Sequence, residues 1–258
     1  MKRFFLQPID DLANLLERQI ITAGRPWRAA GLVLIAATVS WFCYVPIHEL
    51  LHVAGCVLTG GQVSELQLSP IYGAGVLQKV FPFIVSGGDY AGRLSGFDTR
   101  GSDFIYLATD FAPFLLTVFV GVPLLQRCGR RGHALLAGPA LILGLAPLIN
   151  LIGDYFEMGS VMVTRVATLL GRGGHDGPDY AAVRSDDIFR LIEQMTGNGD
   201  EPFNLTGGET MTVAVTLAVL SAVTAILLAW TTYAAGAAFG RRLGMAPGKP
   251  AADNATEE

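Results

Sequence analysis

The stretch PIHELLHVAG, residues 46–55, places two histidines and a glutamate inside a long apolar run. A charged side chain in hydrocarbon costs roughly 3 kcal/mol on insertion scales, so an ionisable group inside a membrane span indicates a functional site. The spacing is that of HExxH, and on a helix His48 and His52 share one face and can reach one ion. Glu49 stands beside them, where it can take a proton from water activated by the metal. We therefore expect a zinc site with Glu49 as its general base.

The composition around this stretch is typical of a membrane protein. Of the 258 residues, 51% are hydrophobic and only 16% are charged, whereas soluble domains carry about 25% charged residues. The net charge of −4 is small and the positive residues are scattered. This pattern excludes a nucleic-acid-binding surface, which needs clustered Lys and Arg.

Four segments are apolar enough to cross a bilayer, which takes about 20 helical residues. They are residues 28–58, 104–124, 134–153 and 212–237. The predicted fold class is therefore an all-α integral membrane protein with about four transmembrane helices, whose core extends over residues 28–240. After HELLH, partial alternation of apolar residues and the turn residue Pro70 predict a small β-hairpin region within residues 59–103.

The two ends of the chain differ from this core. In residues 8–24, apolar residues recur near helical spacing with charges between them. This pattern fits an amphipathic helix on the membrane surface, assigned to residues 1–27, and it equally fits a helix packed on the rest of the protein. We expect a further helix at residues 185–196 and a disordered tail at residues 241–258.

Lysine and arginine predict the orientation in the membrane. Three regions hold 11 of the 18 positive residues: the first 28 residues, the short loop after the second span and the C-terminal tail. With four spans these regions fall on one side, so we expect both termini in the cytoplasm and the long loops and the metal towards the outside. Because no organelle signal is apparent, we expect a bacterial cytoplasmic membrane.

A catalytic zinc ion needs a third protein ligand and an open position for water. Asp154, at the end of the third apolar segment, is the leading candidate. The distance along a helix is about 30 Å from Arg28 to His48 and about 31 Å from His133 to Asp154. Both spans are predicted to start on the cytoplasmic side, so we expect His48 and Asp154 to lie at a similar depth in the membrane. Glu157 and His175 are weaker candidates, and Cys56, four residues after His52 on the same helix, lies too far along the axis and is expected to pack in the protein. Asp110 is either a hydrogen-bond partner of a ligand histidine or a residue near the outer interface of the second span.

Three stretches together resemble the site-2 protease family of intramembrane zinc metalloproteases: HELLH, GGQVSELQLSPIYGAG at residues 60–75 and GPALILGLAPLINLIGD at residues 138–154. In that family a glycine-started hairpin follows the HExxH helix, and a later helix carries an Asn- and Pro-containing motif that ends in the zinc-binding aspartate.

The resemblance covers roughly residues 45–154 and implies a role for each matching residue. His48, His52 and Asp154 match the zinc ligands, Glu49 matches the general base, and Asn150 matches an asparagine that helps to hold substrate near the metal. Two departures stand out. The family reads Asp-Gly, whereas Gly153 precedes Asp154 here, and many members place the metal towards the cytoplasm.

The leading functional expectation is a zinc-dependent intramembrane endopeptidase that cuts a membrane-embedded or membrane-adjacent protein segment. Its partners are then the lipid bilayer and a membrane protein or peptide substrate, with no nucleic acid. One alternative is a non-catalytic membrane binding or assembly protein that keeps the fold. A transporter that uses histidine and aspartate for metal or proton passage is less favoured, because four spans show no inverted repeat.

Overall fold

The computed structural model describes residues 2–88, 90–131, 133–171 and 211–245. The predicted helix at 185–196, His175 and most of the predicted tail lie outside these residues. The helices are α1 (Lys2–Leu16), α2 (Pro26–Leu58), α3 (Ala74–Leu77), α4 (Asp103–Phe111), α5 (Phe114–Leu116), α6 (Val122–Arg130), α7 (Ala134–Ile149), α8 (Asp154–Gly171) and α9 (Met211–Arg242). Short helical turns at Glu17–Ile21, Pro70–Tyr72 and Thr117–Gly121 lie between them.

The described residues are mostly helical, and three stretches are long and apolar enough to cross a membrane: Pro26–Leu58, Ala134–Gly171 and Thr212–Arg242. A fourth crossing results if α4 and the stretch Phe114–Arg130 are counted as one broken span. Their outer surfaces are apolar, as the exposed side chains of Leu34 and Ile35 on α2 illustrate. These features are consistent with a membrane protein.

Two of the predicted spans are interrupted. Residues 104–124 are not one helix, because α4 ends at Phe111 and helix resumes only at Phe114. Pro113 lies in this gap and has no N–H to offer a helical hydrogen bond. Residues 134–153 also break, since α7 ends at Ile149 and α8 begins at Asp154.

Asn150 follows the last residue of α7. Its backbone N–H and its side-chain Nδ2 both donate to the carbonyl oxygen of Ala146, at 2.9 and 3.0 Å. The Tyr155 N–H donates in turn to the Asn150 carbonyl oxygen at 3.2 Å, which closes the turn. Asp154 is therefore the first residue of a new helix and not the last residue of a span.

The β region is a three-stranded sheet, larger than the predicted hairpin. Strands β1 (Gln62–Leu68), β2 (Ile84–Ser86) and β3 (Gly92–Asp98) are ordered β2-β1-β3. β1 and β3 pair antiparallel, as a hairpin would, but β2 comes between them in sequence and pairs parallel to β1 on the other side. A parallel pair needs a crossover connection, and the helical turns of residues 70–77 supply it.

The chain divides into two compact units. One comprises Met1–Trp41, Leu116–Leu145 and Tyr233–Glu258, and the other comprises Phe42–Leu115 and Ala146–Thr232. Buried residues of α1, α6, α7 and α9 form the core of the first unit. The second unit contains the HELLH half of α2, the sheet, α4 and α8. The predicted division into residues 1–27, 28–240 and 241–258 stays a prediction.

Candidate metal centre

Three potential ligand atoms converge inside the second unit. His48 Nε2 lies 3.0 Å from Asp154 Oδ2, His52 Nε2 lies 3.1 Å from His48 Nε2, and His52 Nε2 lies 3.7 Å from Asp154 Oδ2. Both histidines are buried, whereas the side chain of Asp154 is 22% exposed. Within the described parts of the chain, this is the one group of three or more His, Cys, Asp or Glu residues spaced to hold a metal ion.

The spacing of the three atoms fits a small four-coordinate ion. A triangle with sides of 3.0, 3.1 and 3.7 Å has a circumscribed circle with a radius of about 1.9 Å. Three N or O donors bound at about 2.0–2.1 Å to a tetrahedral ion lie on a circle of about the same radius. The spacing of the donor atoms is therefore close to what such an ion requires.

His52 is oriented by a backbone group of α4. Its Nδ1 lies 2.9 Å from the carbonyl oxygen of Thr109. Because a carbonyl oxygen only accepts, Nδ1 carries the proton, and the lone pair of Nε2 is left free for an ion held between the three ligand atoms. This is the tautomer that a metal ligand needs, and a histidine held in this way is common at metal sites.

A glycine on α2 makes this contact possible. A Cβ added at Gly55 would lie 2.6 Å from Ala112 Cβ and 2.7 Å from the Ala108 carbonyl oxygen. Such distances are far below van der Waals contact, so any other residue at position 55 would force α4 away from α2. The close approach brings the Thr109 carbonyl within reach of His52.

His48 is oriented by a side chain one turn earlier on the same helix. Tyr44 Oη lies 2.7 Å from His48 Nδ1, and Asn150 Nδ2 donates to the same hydroxyl at 3.4 Å. The ring of Phe114 packs against His48 with its centroid 5.7 Å away. Asn150, for which the resemblance implies contact with substrate, thus lies beside the centre and touches it through Tyr44.

Asp154 occupies the N-terminus of α8. The unsatisfied N–H groups and the partial positive charge of a helix N-terminus favour a carboxylate there. The break after α7 is therefore part of the site, because it turns a helix N-terminus towards the two histidines. Packing of Tyr155 on Phe114, with ring centroids 4.4 Å apart, holds this end of α8 in place.

Glu49 lies under the first residue of β3. A Cβ added at Gly92 would lie 2.4 Å from Glu49 Cγ and 2.9 Å from Glu49 Oε1. The bare backbone of Gly92 therefore packs directly on the carboxyl group that is predicted to be the general base. The side chain of Glu49 itself is partly exposed.

The competing acids and thiol do not join the three ligand atoms. Glu157 accepts a hydrogen bond from the Tyr106 hydroxyl, and Cys56 Sγ contacts the Gln62 carbonyl oxygen at 3.7 Å. Asp110 is buried, and its Oδ2 has no hydrogen-bond partner among the residues that the structure describes. It is not the partner of a ligand histidine, because both Nδ1 atoms are engaged elsewhere. His175 lies outside the described residues.

Sequence reasoning missed three groups at this centre. Tyr44 could have been found, since it precedes His48 by one helical turn and so shares its face. The Thr109 carbonyl could not, because a backbone group leaves no trace in residue type. Gly92 carried only the weak signal of a glycine after a predicted turn.

The chain was also compared with known proteins. No model of a protein family, no curated protein and no solved structure matches it.

Proposed function

We propose that this protein is a zinc-dependent intramembrane endopeptidase of the site-2 protease type, which cuts a membrane-embedded or membrane-adjacent protein segment. One observation carries the proposal. The ligand atoms of His48, His52 and Asp154 lie within 4.8 Å of one another, beside a glutamate that can act as a base. The intact HExxH pattern and the apolar helices around it support the same reading.

The donor set favours zinc. Two imidazole nitrogens and one carboxylate oxygen form a combination that zinc accepts at about 2.0–2.2 Å, whereas magnesium and calcium prefer oxygen ligands alone. Three protein ligands rather than four are typical of catalytic zinc sites. Zinc bound here supplies a Lewis acid that lowers the pKa of water and polarises the carbonyl of the peptide bond to be cut.

In this proposal Glu49 transfers the proton. Its carboxylate takes the proton of the attacking water and later delivers it to the leaving nitrogen. This transfer needs a fixed carboxylate, and the contact with Gly92 limits where the side chain can move. Tyr44 and Thr109 act on the histidines, and their hydrogen bonds keep both Nε2 atoms directed at one point.

The position of β3 suggests how substrate is presented. A helical substrate hides its carbonyl groups in hydrogen bonds, so it must be extended before cleavage. β3 is an edge strand of the sheet, and it begins at the residue that packs on Glu49. An extended segment added alongside β3 would hold its backbone by strand pairing close to the base. In this proposal Asn150, which hydrogen-bonds to Tyr44 beside the centre, would contact the same segment.

Orientation and location belong to the same proposal. The membrane is proposed to be a bacterial cytoplasmic membrane, and the positive residues favour both termini in the cytoplasm and the centre towards the outer face. A reporter that is active only outside the cytoplasm, fused near Gly174, tests this orientation against a fusion after Gly129. Activity at Gly129 and not at Gly174 would invert the orientation.

The peptidase itself is tested in membranes of cells that produce either the wild type or Glu49→Gln. The variant should keep its zinc and lose about 10²–10⁴ of the cleavage rate, as is usual for a missing general base. N-terminal sequencing of membrane proteins should then find new termini, within or beside apolar segments, only with the wild type. His133→Ala, a histidine remote from the site in sequence, should behave as wild type. Identical termini with wild type and Glu49→Gln would favour a binding protein or transporter.

A further inference from the structure

Helix α1 exposes an apolar face. Phe5, Ile9 and Leu16 follow at intervals of four and seven residues, so they lie on one helical face. All three are exposed, Ile9 to 58%. The buried residues on the other side include the apolar Leu15 and the acid Asp11.

The inward side of α1 is held by polar contacts within the first unit. Asp11 Oδ2 accepts hydrogen bonds from the Tyr233 hydroxyl at 2.9 Å and from Gln126 Nε2 at 3.3 Å. α1 also approaches α6 closely, since a Cβ added at Gly129 would lie 3.2 Å from Asn14 Cβ. Helix α1 is therefore fixed with a defined side facing out.

Gln19, in the turn that follows α1, adds a second anchor. Its Nε2 donates to the carbonyl oxygens of Cys128 and Arg131 at 2.6 and 3.1 Å, and its Oε1 accepts from the His133 N–H at 2.9 Å. One side chain thus satisfies three backbone groups at the end of α6. This contact fixes the orientation of the segment that carries the exposed Ile21.

We infer that this outward face, formed by Phe5, Leu6, Ile9, Leu16 and Ile21, lies in the interface of an anionic lipid bilayer. Three observations favour lipid over a second protein. The face continues past Trp27, which is 90% exposed and is of the type that anchors helices at the membrane interface. It leads into the exposed apolar side chains of α2, such as Leu34.

Charge is the third observation. The first 28 residues carry five Lys and Arg residues, whereas the exposed acids of that segment are Asp10 and Glu17. Positive charge beside an exposed apolar face is the pattern of helices that lie in the plane of anionic membranes. The inference does not require peptidase activity. It does rest on the membrane embedding that is part of the proposed function.

The test uses the full chain in nanodiscs of phosphatidylcholine and phosphatidylglycerol. In a Cys43→Ala background, which leaves only the buried Cys56 and Cys128, single spin labels are placed through Ile9→Cys, Asp10→Cys and Ile35→Cys. Collisions with oxygen report lipid, and collisions with a water-soluble nickel complex report solvent. We expect the label at position 9 to favour oxygen and the label at position 10 to favour nickel. Nanodiscs of phosphatidylcholine alone should shift position 9 towards nickel.

Three results would overturn the inference. Equal nickel exposure at positions 9 and 10 would place the face in water. Dipolar broadening between labels at position 9 would make it a contact between two copies of the chain. No change on removal of phosphatidylglycerol would remove the preference for anionic lipid. The label at position 35 separates the two proposals, because nickel exposure there would contradict the embedding of α2 itself.

Discussion

His48 Nε2 lies 3.0 Å from Asp154 Oδ2, although 106 residues separate the two in sequence. The contact joins the middle of a long apolar helix to the first residue of a later helix. Two physical reasons favour this contact. The HExxH pattern requires a third ligand from elsewhere, and a helix N-terminus is where a carboxylate is favoured.

The hydrogen bond to Tyr44 should tune the metal affinity. Tyr44→Phe keeps the ring but removes the hydroxyl that lies 2.7 Å from His48 Nδ1. Loss of such an outer hydrogen bond typically lowers metal affinity by about 10–100-fold. Competition with a chelator should show this loss, while Tyr72→Phe, which keeps its ring contact with Phe42, should titrate as wild type. Equal affinities for Tyr44→Phe and wild type would mean that Tyr44 does not orient the ligand.

The close approach of α4 to α2 should be needed for both stability and metal binding. Gly55→Ala places a Cβ 2.6 Å from Ala112 Cβ, so the helices must separate and the Thr109 carbonyl must leave His52. We expect a lower melting temperature and metal affinity reduced by about tenfold or more. Gly31→Ala lies on the same helix with open space around it and serves as the control. Unchanged metal affinity in a folded Gly55→Ala variant would contradict the role given to Thr109.

Gly92→Ala should separate catalysis from metal binding. The added methyl group would lie 2.4 Å from Glu49 Cγ and must displace the side chain. Because a misplacement of about 1 Å can cost about 10²-fold in rate, cleavage should fall by that order while zinc content stays at the wild-type level. Gly75→Ala, at a position with open space, is the matched control. A Gly92→Ala variant with wild-type activity would show that Glu49 does not depend on β3.

Stability should depend on pH through Asp11. Burial raises the pKa of its carboxyl group above the usual 3.8, against the lowering effect of the Tyr233 and Gln126 hydrogen bonds and of Arg241. The folded state then binds more protons than the unfolded state between 3.8 and the raised value, so stability falls as pH rises through that window. Denaturation of wild type and Asp11→Asn across this range should show that the free energy of unfolding of the wild type falls relative to that of the variant as pH rises. A constant difference would contradict the shift.

The sequence predicted those parts of the site that depend on helical geometry. HExxH places both histidines on one face, and counting 1.5 Å per residue brings Asp154 to their depth. Asp154 lies beside the histidines although the third span breaks, because only four residues separate the end of α7 at Ile149 from the start of α8 at Asp154. The ligand roles of these residues stay predictions.

Other features follow from contacts that residue types do not reveal. The pairing of β2 with the other side of β1 depends on the burial of Leu66 and Ile84, which an alternating pattern alone cannot pair. The break in the second span depends on one proline, and proline is also tolerated inside helices, as Pro46 in α2 shows. Residues 8–24 were predicted to be either a helix on the membrane surface or a helix packed on the rest of the protein. α1 is packed through Asp11 and Leu15, yet its apolar face stays exposed.

The most direct test of the account is the zinc content of purified protein with three carboxylates changed in parallel. The wild type should hold about one zinc per chain, and Asp154→Asn should lose most of it because the third ligand atom loses its charge. Glu157→Gln and Asp110→Asn remove neighbouring acids that lie outside the ligand group, and both should keep the metal. If Asp154→Asn binds zinc as the wild type does while Glu157→Gln or Asp110→Asn loses it, the metal centre described here is wrong.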